Sequence, residues 1–189
     1  MTMKRVLIIA FCCIAAFYGC KCSKKTPAEP QPQVQKETYL NAIAKYMTGI
    51  GSQYLQGEYC IPYSLIVAAD TTDSDDIKVW GDFWVENYNQ AGDTLKSVSG
   101  GSHPGCMHLK KTDDGFSVIK FDAVGDGSDF NPTAKAIFGD LYDSFMGLTS
   151  NDDAKRTARV KSISEYAAAN NLKVSFYQDY GWPAVKLGK

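Results

Sequence analysis

The chain has 189 residues, 44% of them hydrophobic and 22% charged, with a formal net charge of −1. A near-balanced, slightly acidic surface gives no electrostatic footprint for nucleic acid, so nucleic-acid partners are set aside. Beyond an atypical N-terminal region, about 150 residues remain, which suits one domain with a single core.

Lys4 and Arg5 open the chain with a short positive segment, and Val6 to Tyr18 are all apolar or aromatic. That stretch falls short of the roughly 20 residues a helix needs to cross the hydrocarbon core. It reads as an export signal rather than a permanent transmembrane helix. The following Phe17-Tyr18-Gly19-Cys20 resembles the lipobox of bacterial lipoproteins, with Phe17 in place of the usual Leu and small Gly19 before the cysteine. The resemblance implies that residues 1–19 are removed as a signal peptide and that Cys20 carries diacylglycerol and a palmitate-type acyl chain. It also implies a lipid-anchored place in a bacterial cell envelope, periplasmic or surface-facing. Ordinary secretion, with cleavage near Ala16, is the alternative. Several acyl chains on one residue make a stable anchor, because each buried methylene contributes about 0.8 kcal/mol.

Residues 20–36 are rich in Lys, Pro, Gln and Ser, including Pro27, Pro30 and Pro32. With almost nothing to bury, this segment is expected to be a tether between Cys20 and a domain over residues 37–189. Once Lys4 and Arg5 leave with the signal, 18 of the 20 basic groups face 21 acidic ones, a net −3. Of the six cysteines, Cys12 and Cys13 lie in the signal, Cys20 takes the lipid and Cys22 sits in the tether. Cys60 and Cys106 remain in the domain. In an oxidising compartment the pair is expected to form a disulfide closing a loop of about 45 residues, worth roughly 4 kcal/mol in the chain-entropy account. Two free thiols are the alternative.

Tyr39, Leu40, Ile43, Tyr46, Met47, Ile50 and Tyr54 recur at helical spacing, so residues 37–55 read as an amphipathic helix. Tyr63–Ala69 is a continuous apolar run and Ile77–Tyr88 alternates, both as strands do. Thr94–Ser99 and Cys106–Lys111 read as one strand interrupted by Gly100-Gly-Ser-His-Pro-Gly105. Phe116–Val124 alternates again after the turn Asp113-Asp-Gly115. Asn131-Pro132 then opens a helix whose apolar face runs from Ala134 to Met146. Ser150–Asp153 resembles a capping box and opens a second helix to about Asn170. Leu172–Tyr177 is a last strand. The order predicts an α+β fold: an antiparallel sheet of about 4–5 strands, with one N-terminal and two C-terminal helices packed on one face. A helix before an antiparallel sheet resembles, in element order, the cystatin-like and nuclear-transport-factor-like domains. The second resemblance implies an internal pocket in which an acid serves as general base.

Asp82 is the carboxylate that fits such a role. Alternation sets it between Trp80 and Trp84 on one strand face, where two indoles would desolvate it and raise its pKa. The alternative is that Ile77, Val79, Phe83 and Val85 face the core and the tryptophan face is solvated. Ser99–Gly105 reads as a protruding loop whose backbone donors, with Ser102 and His103, meet a ligand. It is no phosphate loop, since no Gly-Lys-Ser/Thr follows. Neither histidine has an obvious nucleophile, and Cys106 with His108 makes no zinc site. The acidic runs Asp70–Asp76 and Asp122–Asp129 lack EF-hand spacing. No metal and no cofactor are indicated. Tyr180 and Trp182, in the aromatic C-terminal stretch, either stack on a ligand or cap the core. The function expected is binding of a small molecule, a glycan or an envelope protein, and the alternative is a nuclear-transport-factor-like enzyme with Asp82 as base.

Overall fold

The computed structural model describes residues 38–188. The expected signal, the Cys20 anchor and the tether lie outside the described residues. Helix α1 (Tyr39–Gly51) leads into four long strands, β1 (Tyr59–Asp70), β2 (Ile77–Ala91), β3 (Thr94–Thr112) and β4 (Gly115–Ala123). Three helices follow, α2 (Phe130–Phe138), α3 (Tyr142–Thr149) and α4 (Asp152–Ala169), and then short β5 (Phe176–Gln178) and β6 (Val185–Lys186). The class is α+β and the sheet is mostly antiparallel, as the element order predicts. The exception is β5, which runs parallel to the start of β3.

Period-two patterning sorts the sheet into two faces. From β2, Val79, Phe83 and Val85 pack with Ala42, Ile43 and Met47 of α1. The alternate residues turn the other way. Trp80 joins the cluster of Phe138 and Phe145 from α2 and α3, while Tyr88 joins that of Ile163 from α4 and Tyr177 from β5. The expected placement of every helix on one face is therefore corrected: α1 covers one face and the later helices the other. The reason is in β2 itself, which carries Trp80, Trp84 and Tyr88 on the face opposite Val79, Phe83 and Val85, so each side has large rings or side chains to cover. Among the described residues no helix is long and apolar enough to cross a membrane.

Local chemistry places most boundaries close to expectation. Gly115 has φ 145° and closes the β3–β4 hairpin opposite Thr112. The helix expected across Ala134–Met146 instead breaks at Gly139, where φ is 52°. Asn151, one residue after the expected Ser150, caps α4 by accepting a hydrogen bond from the Ala154 amide at 3.0 Å.

The largest departure is β3. Gly100–Gly105 does not protrude, because these residues stay paired with β2 from Gly100 opposite Glu86 to Gly105 opposite Gly81. The glycines answer to their neighbours. A Cβ on Gly100 would strike the Val85 carbonyl oxygen and the Glu86 carboxyl, and one on Gly101 would strike the Tyr54 hydroxyl. Small residues here let other side chains lie across the strand.

The expected Cys60–Cys106 disulfide is likewise corrected, since both are free thiols. Cys60 pairs with Asn87 and Cys106 with Trp80, so their β2 partners lie on opposite faces. Those partners are also separated by about 23 Å along the strand, whereas a disulfide needs a Cα separation of about 4.4–6.8 Å. Burial pushes the Cys106 thiol up to about 11.

Candidate functional site

A cleft of about 680 Å³ opens on the tryptophan face of the sheet, between the strands, the first turns of α4 and the segment around β5 and β6. Its floor is Tyr63 from β1 and Trp84 and Glu86 from β2. One wall is Asp152, Lys155, Arg156 and Arg159 of α4, and the other is Tyr177, Asp179 and Trp182–Val185.

Arg159 organises the cleft. Only 8% of its surface is exposed. Its Nε donates to the Tyr88 hydroxyl at 2.8 Å, and its two terminal nitrogens donate to the two Asp179 oxygens at 2.9 and 2.6 Å. The guanidinium also lies 4.5 Å from the Tyr177 ring centre and 3.8 Å from Glu86 Oε2. A fork engaged on both prongs is rigid in a way an ammonium is not. Burial opposes its charge, but Tyr88, Asp179 and Glu86 together hold its pKa above the ordinary value. Glu86 shows the converse. Burial raises its pKa, against the pull of Arg159 and a hydrogen bond from the Ser97 hydroxyl at 3.0 Å.

Trp84 carries the floor. It stacks on its cross-strand partner Tyr63, with ring centres 5.6 Å apart and planes within 10°. Its indole nitrogen donates to Asp82 at 2.8 Å, and the Ser102 hydroxyl donates to the other Asp82 oxygen. Asp82 is 2% exposed, so the alternative of a solvated acid does not hold. Burial raises its pKa, and the two donors offset part of that rise.

No known family model, curated protein or solved structure matches the chain. The site therefore rests on its geometry. Of the residues singled out from sequence, Trp84 and Trp182 line the cleft together, and Asp82 and Ser102 are bonded to each other beside its floor. The rest go elsewhere. Trp80 is a structural anchor, with its indole nitrogen donating to the Ile137 carbonyl at 3.1 Å. Ser102 and His103, expected on one loop, point to opposite faces of β3. His103 meets Tyr54, with Nε2 and the hydroxyl 2.9 Å apart, and burial lowers its pKa. Tyr180 is 97% exposed outside the cleft, at a small depression with Lys96 and Gln178. Trp182, 71% exposed, caps no core. Among the described residues no group of three or more His, Cys, Asp and Glu side chains is placed to hold a metal ion.

Glu86, Arg159, Lys155, Arg156 and Asp179 of the cleft are not among the residues expected from sequence. Two signals point to Glu86 and Arg159. Glu86 continues the period-two series Trp80, Asp82, Trp84, and Arg159 precedes Ile163 and Ala167 at four-residue steps, on the buried stripe of α4. A charge on such a stripe requires a buried partner.

Proposed function

We propose that this chain is an exported lipoprotein, anchored at a bacterial cell envelope through Cys20, whose α+β domain binds a ligand in the cleft beneath α4. The observation that carries the binding reading is the juxtaposition of an exposed Trp182 with buried Arg159 and Glu86 and a half-exposed Asp179 that Arg159 holds. Exposed aromatic surface beside polar groups already fixed by hydrogen bonds is what a binding site needs, because little order remains to be imposed when the ligand arrives.

A binder suits the arrangement better than an enzyme. Of the cleft carboxylates, Glu86 and Asp179 are held by Arg159 and Asp152 pairs with Lys155, while Asp82, the acid of the enzymatic alternative, is capped by two donors and is not part of the cleft lining. The test is native mass spectrometry of the full chain, purified in detergent and incubated with the low-mass fraction of an envelope extract. An adduct is expected on the wild type and lost in Trp182→Ala. An adduct unaffected by that change, or none, removes the cleft as the site.

A further inference from the structure

We infer that the cleft takes a carbohydrate, one pyranose ring stacking on Trp182 and a neighbouring sugar lying against the uncovered face of Trp84. This rests on the binding reading above and names its ligand class.

The aromatic surfaces come first. Tyr63 covers one side of the Trp84 ring. On the other side the cross-strand partner is Ser102, small and exposed, with Gly100 two positions along β3. No bulky β3 side chain competes for that face. Trp182 adds a second indole in the opposite wall. The C–H face of a pyranose is a flat apolar surface, and an indole is the largest flat apolar surface a protein offers.

The polar lining fits the sugar's edge. A hydroxyl both donates and accepts, so it is recognised by fixed acceptors beside fixed donors. The cleft supplies both: the carboxylates of Glu86 and Asp179 beside the guanidinium of Arg159, and Asp152 beside Lys155. Arg156 and Asp153 pair as exposed neighbours on α4, and Lys155, itself half-buried, pairs with an exposed Asp152. Such pairs contribute little and are readily exchanged for ligand contacts.

Charge and shape narrow the class. Glu86, Asp152 and Asp179 in the lining are balanced by Lys155, Arg156 and Arg159. A balanced lining gives no net field to draw a phosphate or a metal ion. A lipid-like ligand needs an apolar cavity, whereas this lining is interrupted by carboxylates and a buried guanidinium. A neutral, hydroxyl-rich molecule with flat C–H faces remains.

The experiment titrates the full chain in detergent with cello-, malto- and chito-oligosaccharides of four residues, read by tryptophan fluorescence and calorimetry. Saturable binding of at least one series is expected, weakened about tenfold or more in Trp182→Ala with the melting temperature unchanged. Binding that Trp182→Ala leaves intact overturns the placement. No saturable binding to any series overturns the carbohydrate inference. In that case, a Trp182-dependent adduct from the envelope extract means that the cleft binds another class, and no such adduct means that the binding reading falls with it.

Discussion

Asp82 is a buried acid satisfied by two donors, and its energetics follow from that. Burial makes its folded pKa higher than the ordinary 3.8, so the folded state holds the proton more tightly than the unfolded chain. Stability must then fall as pH rises from about 4 through the folded value, because the unfolded state releases the proton first. Asn at this position accepts from the Trp84 indole with its oxygen, and its amide donates to the Ser102 hydroxyl. It has no proton to lose. Asp82→Asn is therefore expected to raise the melting temperature by a few degrees at pH 8, with the gain lost as pH falls through the folded value toward the ordinary 3.8. Thermal melts of both proteins across that range check it, and a gain independent of pH contradicts the assignment. Titrating groups elsewhere, such as Asp76 and Asp122 with their lowered pKa values, cancel in the difference. Asp82 was legible as special because two tryptophans flank it at period two. Its burial was not, since one strand's pattern cannot say whether a second layer covers the aromatic face.

At the scale of elements, β3 is the instructive case. Glycine and proline ordinarily punctuate a chain into turns, and Gly100–Gly105 has the composition of a loop. Its glycines are instead fixed by side chains from other elements, Glu86 on one face and Tyr54 on the other. Such a requirement is set by residues distant in sequence, so no local window carries it. The boundaries that were legible, such as the Gly115 hairpin and the start of α4, are those decided by backbone chemistry within a few residues. The same geometry changes what His103 does. Its bond to Tyr54 ties the segment after α1 to the middle of the sheet. His103→Ala leaves the part-buried Tyr54 hydroxyl without its partner, so it is expected to cost about 1–2 kcal/mol of stability. Ligand binding should be untouched, because His103 faces away from the cleft. Urea unfolding with a parallel binding titration separates the two effects. Lost binding at unchanged stability would return His103 to the site.

For the whole molecule, the sheet is a partition. One face is spent on α1 and the hydrophobic core beneath it, and the other is shared between α2–α4 and an open cleft. Both the core and the cleft are built from the described residues 38–188. If Cys20 is the anchor, attachment and binding are separable properties of one chain. Cys20→Ser is expected to lose incorporation of a palmitate analogue and to move the protein out of the membrane fraction or leave its signal uncleaved. It should keep the wild-type melting temperature and the Trp182-dependent titration, since the core and the cleft are both built from residues after 38. Two or three acyl chains on one residue bind a membrane far more firmly than a single chain, so partial release would point to a second attachment. Unchanged labelling and unchanged membrane retention in Cys20→Ser would overturn the anchor while leaving the cleft to stand or fall on its own titration. Conversely, a released variant that melts several degrees lower would show that residues before 38 contribute to the folded domain.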